Sequence, residues 1–406
     1  MAAPQSARVF SVGTWLRSRA ALEGWTHVSA PREVGCYSRD RHRTITYGSR
    51  AELKEFREPP RAADLYAGFS TFVPKTTASA PVEPIILAAL AAGFSLERDA
   101  DFVTYRNNLN KLMLVPYATA AGGDDWHIHA VLVGSTVYLD VVPWEEQSPH
   151  PAAARAAYSG VKFEALCTAP PPIAGADVAT VDGDDAVDAN AEFCSLVRLR
   201  VGRHRLLMSA EIDCYEPPPP DVPHPTSSNV LTTYRELKTM AVPRTPAQHA
   251  RVKRQRLLKY WIQSYLVGVP ELFIGFRNDR GELTGTMRVP TRALPDLAAA
   301  PGDALLPPPG WDPDGPDGGG GGPPWDPCTC VNALDALLDA IRSQCRTAGD
   351  GVAVRLSFAA SRGVVTREAC PDEGFGDRVR AALARIDVDD GGSVEKEGDD
   401  SRNGVR

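Results

Sequence analysis

Two charged pairs set inside otherwise apolar, strand-like runs constrain this 406-residue chain more than any other feature: Glu211-Ile-Asp213, after Leu206-Leu-Met, and Glu236-Leu-Lys238. Residues two apart on a strand leave the same face, so Glu211 travels with Asp213 and Glu236 with Lys238. A further carboxylate, Glu164, closes Gly160-Val-Lys-Phe-Glu164 on an alanine-rich helical stretch from about Pro151. Gly160 and Glu164 are four apart and share a helix face, where the glycine would let another backbone approach closely. Charges in half-buried strands are costly unless paired. If the fold gathers them, the carboxylates repel unless a cation sits among them.

Two readings follow, a buried salt-bridge network or a metal site. The excess of carboxylates over one lysine favours the metal. Hard oxygen ligands with few histidines nearby suit Mg²⁺ or Mn²⁺ rather than zinc. Two such ions about 4 Å apart, bridged by shared carboxylates, would activate water and stabilise a leaving oxygen, the chemistry of phosphoryl hydrolysis. Lys238 would orient or deprotonate that water and stabilise developing charge. Carboxylate, any residue, lysine is also the signature of restriction-type nucleases.

Composition narrows the setting. An apolar content of 43% supports a substantial core, in one large domain or two ordinary ones. The formal charge of −7 argues against a generally basic surface, so any nucleic acid should be gripped locally, in an arginine-lined groove. The eight cysteines are dispersed without zinc spacing, which suits reduced thiols in the cytosol or nucleus. No apolar leader core follows Met1 and no run of about 18 apolar residues occurs, so the expectation is a soluble nuclear and/or cytoplasmic protein without signal peptide or membrane span.

Along the chain, residues 1–75 read as an arginine-rich, irregular arm packed on a main body, and Pro84 opens a buried helix through Ala92. Phe102–Arg106, Lys111–Val115, Trp126–Val133 and Thr136–Val142 read as an antiparallel meander. Val197, Leu199 and Val201 alternate with Arg198 and Arg200 as a two-faced strand before a Gly202 turn. A helix is expected from about Thr245 to Leu266, a buried strand at Leu272–Phe276, a helix at Val331–Ile341 and a strand at Val352–Phe358. The Pro/Gly-rich stretch 301–327 reads as a disordered insertion within a single 1–386 catalytic domain, and 387–406 as a disordered acidic tail. Arg251, Lys253, Arg254 and Arg256 form a basic stretch that would steer RNA or simply face solvent.

The motifs that run from about Arg32 to Arg277 are Gly35-Cys-Tyr-Ser38, Tyr105-Arg106 with Leu109-x-Lys111-Leu, Gly160-Val-Lys-Phe-Glu164, Ala191-Glu-Phe-Cys194, Glu211-Ile-Asp213, Tyr234-Arg-Glu-Leu-Lys-Thr239, Leu257-Leu-Lys-Tyr-Trp-Ile-Gln263 and Gly275-Phe-Arg-Asn278. In order and spelling this set resembles the DXO/Rai-type family of RNA 5′-end decapping exoribonucleases. The resemblance implies a mixed α/β (α+β) fold, two largely antiparallel or mixed sheets flanked by helices around a PD-(D/E)xK nuclease-like core. It implies that Glu164, Glu211, Asp213, Glu236 and the carbonyl of Leu237 bind divalent ions, with Lys238 and Gln263 at the reacting phosphate. Arg43, Glu83, Tyr105, Arg106, Asn107 and Cys194 match positions at the RNA or nucleotide end, beside Glu211, Lys238 and Gln263. The implied substrates are RNAs with a 5′-triphosphate, an unmethylated cap or an NAD cap. Ala210, where the family commonly has glycine, is expected to narrow the pocket, and Tyr105 stands for a tryptophan.

Two rival functions stay open. One is a stabilising partner of a 5′→3′ exoribonuclease, as some relatives are. The other, from carboxylate-x-lysine alone, is a DNA endonuclease.

Overall fold

In the computed structural model, residues 7–18, 24–76, 81–118, 125–142, 151–169, 187–219, 229–300 and 324–386 are described. Most of the 301–327 stretch and all of the 387–406 tail lie outside these residues, as do most of the Pro170–Asn190 loop and part of the Pro217–Pro225 connection.

Sixteen strands occur among the described residues. The first eight are Ala7–Ser11 (β1), Arg32–Arg39 (β2), Ile45–Tyr47 (β3), Glu55–Phe56 (β4), Phe102–Tyr105 (β5), Trp126–Val133 (β6), Thr136–Val141 (β7) and Thr168–Ala169 (β8). The rest are Glu192–Val201 (β9), His204–Glu211 (β10), Cys214–Tyr215 (β11), Tyr234–Ala241 (β12), Glu271–Arg277 (β13), Leu283–Pro290 (β14), Val354–Ala359 (β15) and Val364–Ala369 (β16). Ten form one sheet in the order β1-β16-β15-β6-β7-β5-β10-β9-β2-β3, and six form another, β14-β13-β12-β11-β4-β8. Both are mixed: β5 lies parallel to β7 and β10, and β12 parallel to β13, amid antiparallel pairs. Helices flank them, so the expected α/β class holds. One cluster of buried side chains reaches from Val12 through Leu109 and Leu334 to Val365, joining segments on both sides of residues 301–323.

Chain passage between the sheets places the site. β9 and β10 form a hairpin about Gly202, whose φ of 55° suits glycine. β10 ends at Glu211, and after Ile212 and Asp213 the chain enters the second sheet as β11. Asp213 therefore stands at the crossing. The Pro151–Leu166 helix packs on β12, and the helices Arg106–Leu114 and Leu258–Tyr265 pack on each other. The last of these continues from Pro246–Arg251 through a π-helical turn, Val252–Leu257. A capping box at Thr245 with Gln248 starts it, at the residue from which the sequence predicts the helix.

Several expectations change. The 1–75 segment does more than lie against the body: β2 runs inside the large sheet between β9 and β3, with Tyr37 fully buried. Lys111–Val115, read as strand, falls in the Arg106–Leu114 helix and the turn after it, because Leu109, Leu112 and Met113 recur at helical spacing and bury one face. The meander reduces to the β6–β7 hairpin, with β5 entering in parallel. Lys253 is buried and donates to the carbonyl of Ala300 at 2.6 Å, so only its arginine neighbours face solvent. A helix at Phe375–Leu383 and the strand β14 went unread.

Candidate active site

Strand alternation in β12 turns Glu236 and Lys238 the same way, while Leu237 packs with Phe163, Cys167 and Phe273 on the other side. Glu236 is only 1% exposed and accepts from three side chains: Lys238 Nζ, Gln263 Nε2, and Arg106 Nη1 at 3.1 Å. Arg106 opens its helix beside Tyr105, and its guanidinium also reaches the Gln263 carbonyl at 3.5 Å. The packed helix pair thus brings Arg106 and Gln263 to one carboxylate. Asp213 Oδ2 accepts the backbone N–H of Leu237 at 2.7 Å and lies 3.9 Å from Lys238 Nζ, which also donates to the Leu237 carbonyl at 3.0 Å. The crossing and the lysine strand are fixed to each other by these bonds.

Glu164 and Glu211 complete the cluster. Burial, with the Asp213 charge second, pushes Glu164 up to about 8, and Lys238 only partly offsets this. Burial and then Glu236 push Asp213 up to about 7. Glu236 stays below its ordinary value because Lys238 and Arg106 outweigh its burial. Glu211, 46% exposed, is held down despite its surroundings by Lys75, whose Nζ is 2.8 Å from Oε2, and then by Arg106. Lys238 is driven well above an ordinary lysine by Glu236, Asp213 and Glu164 against the pull of burial, so it is protonated at neutral pH.

Behind Glu211 lies a second cluster. Glu192, 4% exposed, pairs with Arg39, Lys75 and, at 3.3 Å, Arg43. Arg43 also donates to the Asn190 carbonyl at 3.2 Å. Cys194 is buried and stands directly across the β9–β10 ladder from Glu211. Asn107 is exposed next to Arg106, and Tyr105 donates to the Pro81 carbonyl at 3.0 Å. Glu83 is not brought to the carboxylates: it pairs with Arg378 at 2.7 Å, in a group with Asp140 and Asp372. Ala210 does not narrow the pocket, because strand alternation buries it in the core on the opposite side from Glu211. Nor does Gly160 mark a tight approach, since a Cβ there would find Thr239 Oγ1 at an ordinary 3.8 Å. Close packing falls at Gly275 instead, where a Cβ would come 2.5 Å from the Phe163 ring.

The sequence reading missed Arg39, Lys75 and Glu192. Glu192 was findable, since it alternates with Cys194 on the same strand face. Lys75 had no local signal, as its partners lie more than a hundred residues away.

As they stand, no three of the described His, Cys, Asp and Glu side chains converge tightly enough to hold an ion. Glu236 and Asp213 are drawn to Lys238, and Glu211 to Lys75. The donor set still fits a hard divalent cation. It is all oxygen, and the raised Glu164 and Asp213 mark carboxylates short of counter-charge.

Such a fold, two mixed sheets meeting at carboxylates and a carboxylate-x-lysine strand, defines a hydrolytic nuclease core. The chain belongs to the RAI1-like PD-(D/E)XK nuclease family, whose model matches residues 29–381. It is 30% identical over 334 residues to the human decapping and exoribonuclease protein, covering 77% of this chain and 74% of that one. It is 28% identical over 336 residues to the decapping nuclease RAI1 of Aspergillus fumigatus, covering 80% and 85%. Among solved structures, Candida albicans Rai1 in complex with pU5 and Mn²⁺ shares the fold with a TM-score of 0.72 at 21% identity, over 93% of this chain and 95% of that one. Scheffersomyces stipitis Rai1 in complex with (3′-NADP)⁺ and calcium gives 0.70 at 21% identity, over 90% and 97%.

Proposed function

We propose that the protein is a divalent-metal-dependent hydrolase of RNA 5′ ends, removing atypical or incomplete caps, including NAD caps, unmethylated caps and 5′-triphosphates, and degrading RNA 5′ to 3′. The observation that carries this is the meeting of Glu211 and Asp213 from one sheet's end, Glu236 and Lys238 from the other sheet, and Glu164 from a helix. The names of the human and fungal relatives, and the RNA and dinucleotide bound by the solved neighbours, support the substrate class.

Glu164, Glu211, Asp213, Glu236 and the Leu237 carbonyl would hold Mg²⁺ or Mn²⁺, two ions by the size of the ligand set. When bound, these ions supply an activated water and charge neutralisation at the phosphate. The chain's own groups do the rest. Arg106 and Gln263 fix Glu236, and the Leu237 N–H fixes Asp213, which preorganises the carboxylates. Lys238, protonated, acts as a donor that orients the attacking water and stabilises charge on the phosphate. Arg43 and its neighbours around Glu192 present cations to the 5′ end of the RNA.

No helix among the described residues is long and apolar enough to cross a membrane, and the proposed workplace is the nucleus or cytoplasm. Stabilisation of a 5′→3′ exoribonuclease is the alternative, and copurification with a large nuclease would favour it. The test is release of nicotinamide dinucleotide, capped dinucleotide or pyrophosphate from labelled RNAs with Mn²⁺ present. Wild type should release product, and Glu236→Ala/Lys238→Ala should not. Equal release by both would overturn the reading.

A further inference from the structure

Lys75 is the donor to the Glu211 carboxylate among the described residues, at 2.8 Å, and the same ammonium pairs with Glu192. Glu192 does not depend on it, because Arg39 and Arg43 already pair with that buried carboxylate. Lys75 is therefore a third cation on a carboxylate already served by two guanidiniums, and its removal leaves the buried Glu192 paired. Its side chain is 38% exposed, against 12% for Arg39, on a flexible four-carbon stem whose three donors can be redirected. Glu211, at 46%, is more open to solvent than Asp213 or Glu236. Lys75 thus sits on the accessible side of the site and binds the carboxylate a second cation would compete for.

We infer that Lys75 is a stand-in cation of this site, which holds Glu211 until a divalent ion takes that carboxylate and then transfers its charge to the 5′ phosphate of the substrate. This rests on the hydrolase reading above. Like-charge repulsion drives the exchange, since an ion at Glu211 and the ammonium cannot share one carboxylate without cost. Once released from Glu211, Lys75 is left sharing the single Glu192 with Arg39 and Arg43, giving an excess of positive charge that suits a phosphate group. Metal and substrate binding thereby become coupled through one side chain.

The test measures Mn²⁺ binding by electron paramagnetic resonance on the full chain without RNA, for wild type, Lys75→Met and Lys75→Arg. Removing the competing cation should tighten Mn²⁺ binding by about tenfold in Lys75→Met. In turnover of 5′-triphosphate RNA at saturating Mn²⁺, its KM should rise by about tenfold, more than kcat falls. Lys75→Arg, which keeps the cation, should stay near wild type in both measurements. Unchanged or weaker Mn²⁺ binding by Lys75→Met, or an unchanged KM, would overturn the exchange while the hydrolase reading stands. Absence of saturable Mn²⁺ binding and of product in wild type would instead remove the hydrolase reading, and this inference with it.

Discussion

Replacing Glu164 by glutamine should abolish hydrolysis and yet stabilise the metal-free protein. Burial and the neighbouring Asp213 charge carry Glu164 from 4.5 to about 8, so the folded state binds this proton more tightly than the unfolded chain does. Stability from such a group is fully present below about pH 4 and is lost as pH rises through about 8. At about 1.4 kcal/mol per tenfold change in proton affinity, the ionised form costs at most about 5 kcal/mol. Solvent reaches part of the side chain, and screening leaves about 2 kcal/mol as the working figure. Guanidinium unfolding in EDTA at about pH 5 and about pH 9 reads this directly. Wild type should lose stability between the two, Glu164→Gln should lose less, and Mn²⁺ should restore wild type alone. A closed salt-bridge network gives the reverse, because removing one partner of a buried ion pair costs about 3–5 kcal/mol. Glu164→Gln less stable than wild type at about pH 9 in EDTA would refute the carboxylate excess on which the metal argument stands.

Other consequences concern the scaffold. Gly275→Ala would press on the Phe163 ring beside Glu164, costing about 2 kcal/mol and lowering kcat, whereas Gly160→Ala makes only an ordinary contact with Thr239 and should gain up to about 1 kcal/mol in helix propensity; thermal melts of the two variants check the contrast. Asp101 is buried, yet Arg205 and Arg342 hold its carboxyl well below the ordinary range. Its contribution is present above about pH 4 and is lost as pH falls, so Asp101→Asn should be less stable than wild type at neutral pH and flatten the acid side of the stability profile. A profile identical to wild type between about pH 2 and about pH 5 would contradict this.

What the sequence made readable was local. Glu211 with Asp213, and Glu236 with Lys238, stand out because a strand's two-residue repeat fixes their common direction whatever the tertiary fold. Glu164 was readable as a carboxylate on an expected helix, whereas Gln263 entered only through the family resemblance. Sheet membership was not: β2 follows an arginine-rich, glycine-punctuated stretch, and only its pairing with β9 and β3 makes it an inner strand. Lys111–Val115 misled because a short apolar run fits a buried helix face as well as a strand. Lys75 reaches Glu211 across 136 residues, a contact no local pattern announces. Glu83 pairs with Arg378 from the distant helix Phe375–Leu383, another contact that no local pattern announces.

The most direct measurement is anomalous diffraction from crystals soaked in Mn²⁺. The account predicts density bounded by Glu164, Asp213, Glu236 and the Leu237 carbonyl, with oxygens at about 2.0–2.4 Å and Glu211 turned from Lys75 toward the ion. Mn²⁺ bound elsewhere, with Lys238 still closing on Glu236 in an ion-free cluster, would contradict it.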